Sequence, residues 1–269
     1  MRIVELSNHP GRLLQDMHLR RQTAGERARS EYQGALAQHR RRVQALRDQR
    51  DRARGQRRWW AWLRHSFAVW RQQARAPGPP AATLGPTDQE DILRAGMTGE
   101  QLVAADFGRA LNDDWVLLRG YCNRRGEIDH IMLGPGGVFA IEVKHRNATV
   151  HVNGDDWRFC KYDRYGNLVE QGWIADRRGR SPSVQLNEPA AELERFLRRR
   201  RQPVKIRRLV IFTHPRSRLG SMENLTVDAV ATATGHLIDH LNRAPAALGR
   251  QQLAQLEQLI VRDHHHHER

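Results

Sequence analysis

The chain has 269 residues, 39% of them hydrophobic, and 45 Lys+Arg stand against 30 Asp+Glu, a surplus of +15. That length and composition fit one or two folded domains rather than a disordered chain. No apolar run reaches the roughly 18 residues that span a bilayer, the N-terminus lacks the apolar core of a secretory signal, and two cysteines make neither a disulfide framework nor a zinc site. A reducing cytosol is the expected location.

Residues 1–75 hold 18 Arg, no Lys and six acids, so +12 of the surplus sits in about a quarter of the chain. Good helix formers without proline from Arg12 to Arg58 predict a long helix. Leu36, Val43, Leu46, Ala53 and Trp60 fit a loose heptad seam, through which a homodimer could pair, although His39, Arg50 and Arg57 interrupt it. Four of the seven Trp then fall within 57–71, between Arg57, Arg58, Arg64 and Arg71. This stretch is either an interfacial helix on an anionic membrane or a set of rings packed on the globular domain or on a second copy of the chain. Residues 76–87 form a Pro/Gly/Ala linker and the expected domain boundary.

A globular domain is expected over 88–262. Its predicted elements are a helix over 88–111, strands at 115–119, 127–133 and 138–144, and shorter strands near 148–152 and 157–162. A helix over 183–200, strands at 208–212 and near 225–230, and helices near 232–243 and 246–261 complete it. Gly134-Pro135-Gly136-Gly137 reads as a hairpin turn, because no helix or Lys-Ser/Thr follows to make a phosphate cradle. The fold class is α/β: a mixed sheet flanked by helices, preceded by a long Arg-rich helical segment. The last residues, 263–269, read as a disordered His-rich tail with weak metal affinity.

The chemistry concentrates in the hairpin at 127–144. Period-two alternation sets Glu142 and Lys144 on one face of an apolar strand, with Asp129 within reach from its neighbour. Buried carboxylates that converge repel each other and need compensation. Two hard oxygen ligands suit Mg²⁺, or Mn²⁺, which would polarise a phosphoryl oxygen and acidify a water. Lys144 would then act on the water or on the developing charge, and burial beside a metal would favour a base role by depressing its pKa. Glu127 is expected to turn away as a strand-edge charge, His130 to be structural, and Asp155-Asp156 to be a turn. Arg198, Arg199, Arg200, Arg201 and Lys205 read either as a solvated helix end or as a phosphate-contact patch.

Ile128-Asp129, twelve residues, then Glu142-Val143-Lys144 resembles the PD-(D/E)xK nuclease motif. With Thr98-Gly-Glu-Gln101, Gly126-Glu-Ile-Asp-His-Ile131, Gly134-Pro-Gly-Gly-Val-Phe-Ala-Ile-Glu-Val-Lys144 and Ser181-Pro-Ser-Val-Gln185, it is similar to the nuclease-related domain (NERD) family of that superfamily over about residues 94–215. The resemblance implies a restriction-endonuclease-like core. It implies Asp129 and Glu142 as metal ligands, Lys144 as catalytic lysine, Glu100 as the helical glutamate beside the metal, and Gln185 as the polar residue completing the site. Two departures stand out: Ile128 takes the place of the superfamily's proline before Asp129, as is common in this family, and Ser181-Pro182 replaces the family's usual Asn-Pro. The expected function is a metal-dependent nuclease hydrolysing DNA with little sequence specificity, RNA being a second substrate class that the chemistry allows. The competing expectation is a non-catalytic nucleic-acid-binding or membrane-associated scaffold on a nuclease fold. Under either reading the expected location is the cytoplasm, with peripheral attachment at the inner membrane face compatible with the nuclease.

Overall fold

The computed structural model describes residues 1–80, 85 and 87–268. The Pro/Gly/Ala stretch at 76–87 therefore lies partly outside the described residues, as does Arg269. The chain divides into two compact units, Met1–Arg12 with Asp91–Arg269, and Leu13–Glu90.

The larger unit is built on a six-stranded mixed sheet. Its strands are β1 (Arg2–Glu5), β2 (Val116–Asn123), β3 (Gly126–Gly134), β4 (Gly137–Lys144), β8 (Ile206–Phe212) and β10 (Ala229–Ala231), in that spatial order. β2, β3 and β4 run antiparallel as a meander, and β1, β8 and β10 add in parallel. Helices cover both faces, as a sheet apolar on both sides requires. Val103 and Phe107 of α3 (Asp88–Ala110) and Leu237 and Leu241 of α5 (Thr234–Arg243) pack with Phe139 and Ile141. Leu186 and Leu193 of α4 (Pro182–Arg199) and Leu256 and Ile260 of α6 (Arg250–His267) pack with Val138 and Ala140. A second sheet, in the order β7 (Leu168–Trp173), β6 (Asp156–Tyr162), β5 (Thr149–Asn153), β9 (Arg218–Glu223), adds Val150, Val152, Trp157 and Phe159 to that second cluster. The architecture is the mixed, helix-flanked sheet that the pattern of elements predicts.

Three strands were not expected. β1 is four residues long and pairs with a strand more than a hundred residues away, so residues 2–5 join the larger unit's sheet instead of beginning the helical region. β7 and β9 are exposed edge strands with few buried side chains, so they carry no apolar alternation to read. The His-rich end is also different from expectation. Its residues continue α6 through His267, with Asp263 and His264 buried. Leu256, Ile260 and His264 share one face at four-residue spacing, so the buried stripe runs on into the histidines.

In the smaller unit α1 (His9–Gly55) ends before Arg57, which sits at φ +53°, and α2 (Trp59–Gln73) folds back until Gln72 bonds His39. Val43, Ala53 and Val69 are buried. The loose seam expected to pair two chains is thus interrupted at 56–58, and Trp60 belongs to a separate helix. No helix among the described residues is long and apolar enough to cross a membrane.

Candidate active site

The paired β3–β4 ladder stops at His130 opposite Ile141, and there the two strands part. Asp129 lies just past that point, and its Oδ2 accepts a hydrogen bond from the Val143 N–H at 2.7 Å. Glu142 is buried, while Lys144 at the strand end keeps part of its surface open. Lys144 Nζ donates to Glu142 Oε1 at 2.5 Å and to Gln185 Oε1 at 3.0 Å. Gln185 occupies the first turn of α4, where Ser181 caps the helix and Pro182 opens it. Its amide donates to Arg180 O at 2.7 Å, so both ends of the side chain are fixed.

Glu100 reaches the site from α3. A side chain on the preceding Gly99 would place its Cβ 2.7 Å from Thr213 Oγ1 and 3.2 Å from His145 Cβ, so the bare glycine lets α3 approach the end of β4. Glu100 Oε2 lies 3.8 Å from Arg119 Nη2. Gly120, opposite Asp129 on β2, has φ +70°, and its Cβ would lie 2.3 Å from Ser7 O.

The electrostatics follow from this crowding. Burial, reinforced by Glu100, raises the Asp129 carboxyl to about 7 against the opposing pull of Lys144 and the Val143 N–H. Burial and the charge of Asp129 together raise Glu142 to about 7, against the pull of Lys144 and Arg180. Glu100 also reaches about 7 by burial, against the pull of Arg119. For Lys144 burial works downward, but the charges of Glu142 and Asp129 outweigh it and the net direction is up. Without a metal beside it, the lysine therefore holds its proton against the two carboxylates.

Two residues stand differently from the sequence reading. Glu127 is no detached edge charge: burial raises its carboxyl, Glu142 raises it further, and its own charge acts on Glu100 and Asp129. The signal was available, because a step of two along a strand returns to the same face. Arg180 went unremarked. It is held by Asp176 through Nε at 2.9 Å and directs positive charge at Glu142. His130 is fully buried between Asp129 O at 2.6 Å and Glu100 O at 3.2 Å. Burial and the charge of Arg119 hold it down to about 4, so it is a neutral structural ring.

The structure does not bring the basic run to the carboxylates. Arg198, Arg199, Arg200, Arg201 and Lys205 lie at the far end of α4, about 20 Å along its axis from Gln185. Arg199 pairs there with Glu192 at 3.6 Å, and Arg200 lies over the Phe196 ring.

Two groups could be considered for a metal. Asp129 Oδ1 and Glu142 Oε2 carry no hydrogen bond among the described residues. Their raised carboxyls, beside Glu100, form a hard-oxygen donor set whose mutual repulsion a divalent cation would relieve, so the residues fit such an ion. His264, His265 and Glu268 also converge, with ligand atoms within 4.8 Å of one another. There, His264 Nδ1 accepts from the Cys122 N–H at 3.1 Å, and Nε2 faces Leu6 O at 3.2 Å. Nε2 also faces Glu268 Oε2 at 3.2 Å, so this end of α6 is an ordered packing element and not the disordered tail expected.

Residues 95–213 match the sequence model of a family described as the nuclease-related domain. No curated protein and no solved structure matches the chain.

Proposed function

We propose, from the match of residues 95–213 to the nuclease-related domain family, that the chain is a metal-dependent nuclease that hydrolyses DNA phosphodiester bonds with little sequence specificity. The observation that carries this reading is the convergence of Asp129, Glu142, Lys144 and Gln185 where β3 and β4 part. Asp129 and Glu142 would hold a magnesium or manganese ion through their free oxygens. Such an ion, when bound, polarises a phosphoryl oxygen and lowers the pKa of a coordinated water.

The chain's own groups supply the rest. Lys144, an ammonium fixed by Glu142 and Gln185, offers its charge and remaining proton to a phosphate oxygen as negative charge develops there. Gln185 and Arg180 are positioning residues. Gln185 sets the direction of the Lys144 amine, and Arg180, tied to Asp176, balances Glu142. Glu100, with a carboxyl near 7, completes the acidic side of the site and can exchange a proton near neutral pH.

Affinity for the polyanion comes from the chain's +15 surplus, +12 of it in residues 1–75, with Arg198 to Arg201 and Lys205 as a second phosphate-contact patch. Nothing in this set reads base edges, which accounts for the low specificity. The test is to measure cleavage and binding of a labelled duplex separately. Lys144→Ala is expected to lower the rate by about 10² to 10³ while DNA affinity stays near the parent's. A variant that cleaves as fast as the parent would remove Lys144 from the reaction.

A further inference from the structure

We propose that α2 is a membrane-surface helix that lays its aromatic face into the headgroup region of an anionic bilayer. Trp59, Trp60, Leu63, Phe67 and Trp70 fall within an arc of roughly 100° on this helix. All five are exposed, Trp60 at 87% and the others between 52% and 64%. The opposite side carries the helix's internal contacts: Val69 is buried, and Gln72 bonds His39 of α1. An apolar face of this size, left open while the helix is anchored from behind, marks an interaction surface.

Its chemistry selects the occupant. Arg64 and Arg71 border the arc on one side, and Arg57 and Arg58 precede the helix. Residues 52–87 contain seven Arg and no Asp or Glu, so the whole segment is cationic. Indoles favour the headgroup boundary, Leu63 and Phe67 at the middle of the arc supply the bulk that enters the acyl region, and the Arg side chains match lipid phosphates. A second copy of α2 fits poorly, because pairing the two faces would bring their arginines together with no acid in the segment to neutralise them. A nucleic-acid strand would stack on the rings but gains nothing from Leu63 at the middle of the arc. The helix is too short to span, so it would lie in the interface plane. This surface is independent of the nuclease reading.

The test uses the full chain with vesicles of phosphatidylcholine, with and without phosphatidylglycerol. The parent is expected to co-sediment with the anionic vesicles, to shift its tryptophan emission to shorter wavelength, and to be released by salt. The double substitution Leu63→Glu with Phe67→Glu is expected to weaken binding by about tenfold or more. Arg64→Gln with Arg71→Gln is expected to weaken it by roughly fivefold per arginine removed. Circular dichroism checks that both variants keep the parent's helicity. Failure of the parent to bind anionic vesicles overturns the proposal, as does unchanged binding of the Glu variant. A dimer that only the Glu variant dissolves, without vesicle binding, would assign the face to a second copy. Loss of single-stranded oligonucleotide binding in the Glu variant, again without vesicle binding, would assign it to nucleic acid.

Discussion

Asp129→Asn is expected to stabilise the metal-free protein at pH 8. The folded carboxyl sits at about 7 against an ordinary value of 3.8, so between these values the native state holds a proton that the unfolded chain has released. Stability therefore falls as pH rises through that window, and above it the whole penalty is present. At about 1.4 kcal/mol per pH unit the penalty is about 4 kcal/mol. Asp129 is partly exposed and shares its repulsion with Glu100, which reduces the gain from neutralising it to about 2 kcal/mol. Asparagine keeps an oxygen to accept from the Val143 N–H. For a chain of this size the gain is roughly 4–8 °C in Tm. Thermal unfolding with chelator at pH 8 and at pH 4 reads it: the variant should lead at pH 8 and match the parent at pH 4. Added Mg²⁺ should raise the parent's Tm and leave the variant's nearly unchanged. A variant no more stable than the parent at pH 8 would refute the claim that Asp129 is a repelled, half-buried charge.

Gln185→Ala should lower the cleavage rate by about tenfold through loss of Lys144 alignment, with little change in DNA affinity or Tm. Gly99→Ala should cost about 1 kcal/mol and reduce activity, since its Cβ pushes α3 from Thr213 and moves Glu100; calorimetry beside a rate assay checks both. Tyr121→Phe, which leaves the buried Asp263 without its donor, should lower stability by about 1–3 kcal/mol in urea unfolding. Removing 263–269 should destabilise the larger unit at least as much, whereas a dispensable tail would be lost without effect. His130, held to about 4, is charged only in the unfolded chain between there and 6.5, so stability should fall as pH drops through that range. His130→Asn should flatten that acid limb in a pH series of unfolding curves.

The site was legible where chemistry and local pattern coincide. The apolar run of β4 with Glu142 and Lys144 two apart, the glycine turn before it and Asp129 on β3 are all short-range features, and the hairpin forms as the alternation implies. The position of Gln185 came from motif resemblance, and its bond to Lys144 joins residues 41 apart, which no local pattern encodes. Arg180 was missed for a similar reason: its charge reaches Glu142 from a loop stabilised by Asp176. Glu127 was misplaced by a slip in alternation rather than by lack of signal. β1 was illegible because a strand of four residues is specified by its distant partner β2. The His run at the end of α6 reads as a tail by composition, yet burial of His264 against Cys122 and Leu6 makes it part of the core.

The most direct test is incubation of the full chain with supercoiled, linear and single-stranded DNA in Mg²⁺, Mn²⁺ or chelator, beside Glu142→Ala. Cleavage that requires the ion and disappears in the variant, while the variant still binds DNA in a salt-sensitive manner, is the predicted result. Cleavage that persists in chelator or in Glu142→Ala, or DNA bound but intact in every lane, would contradict it.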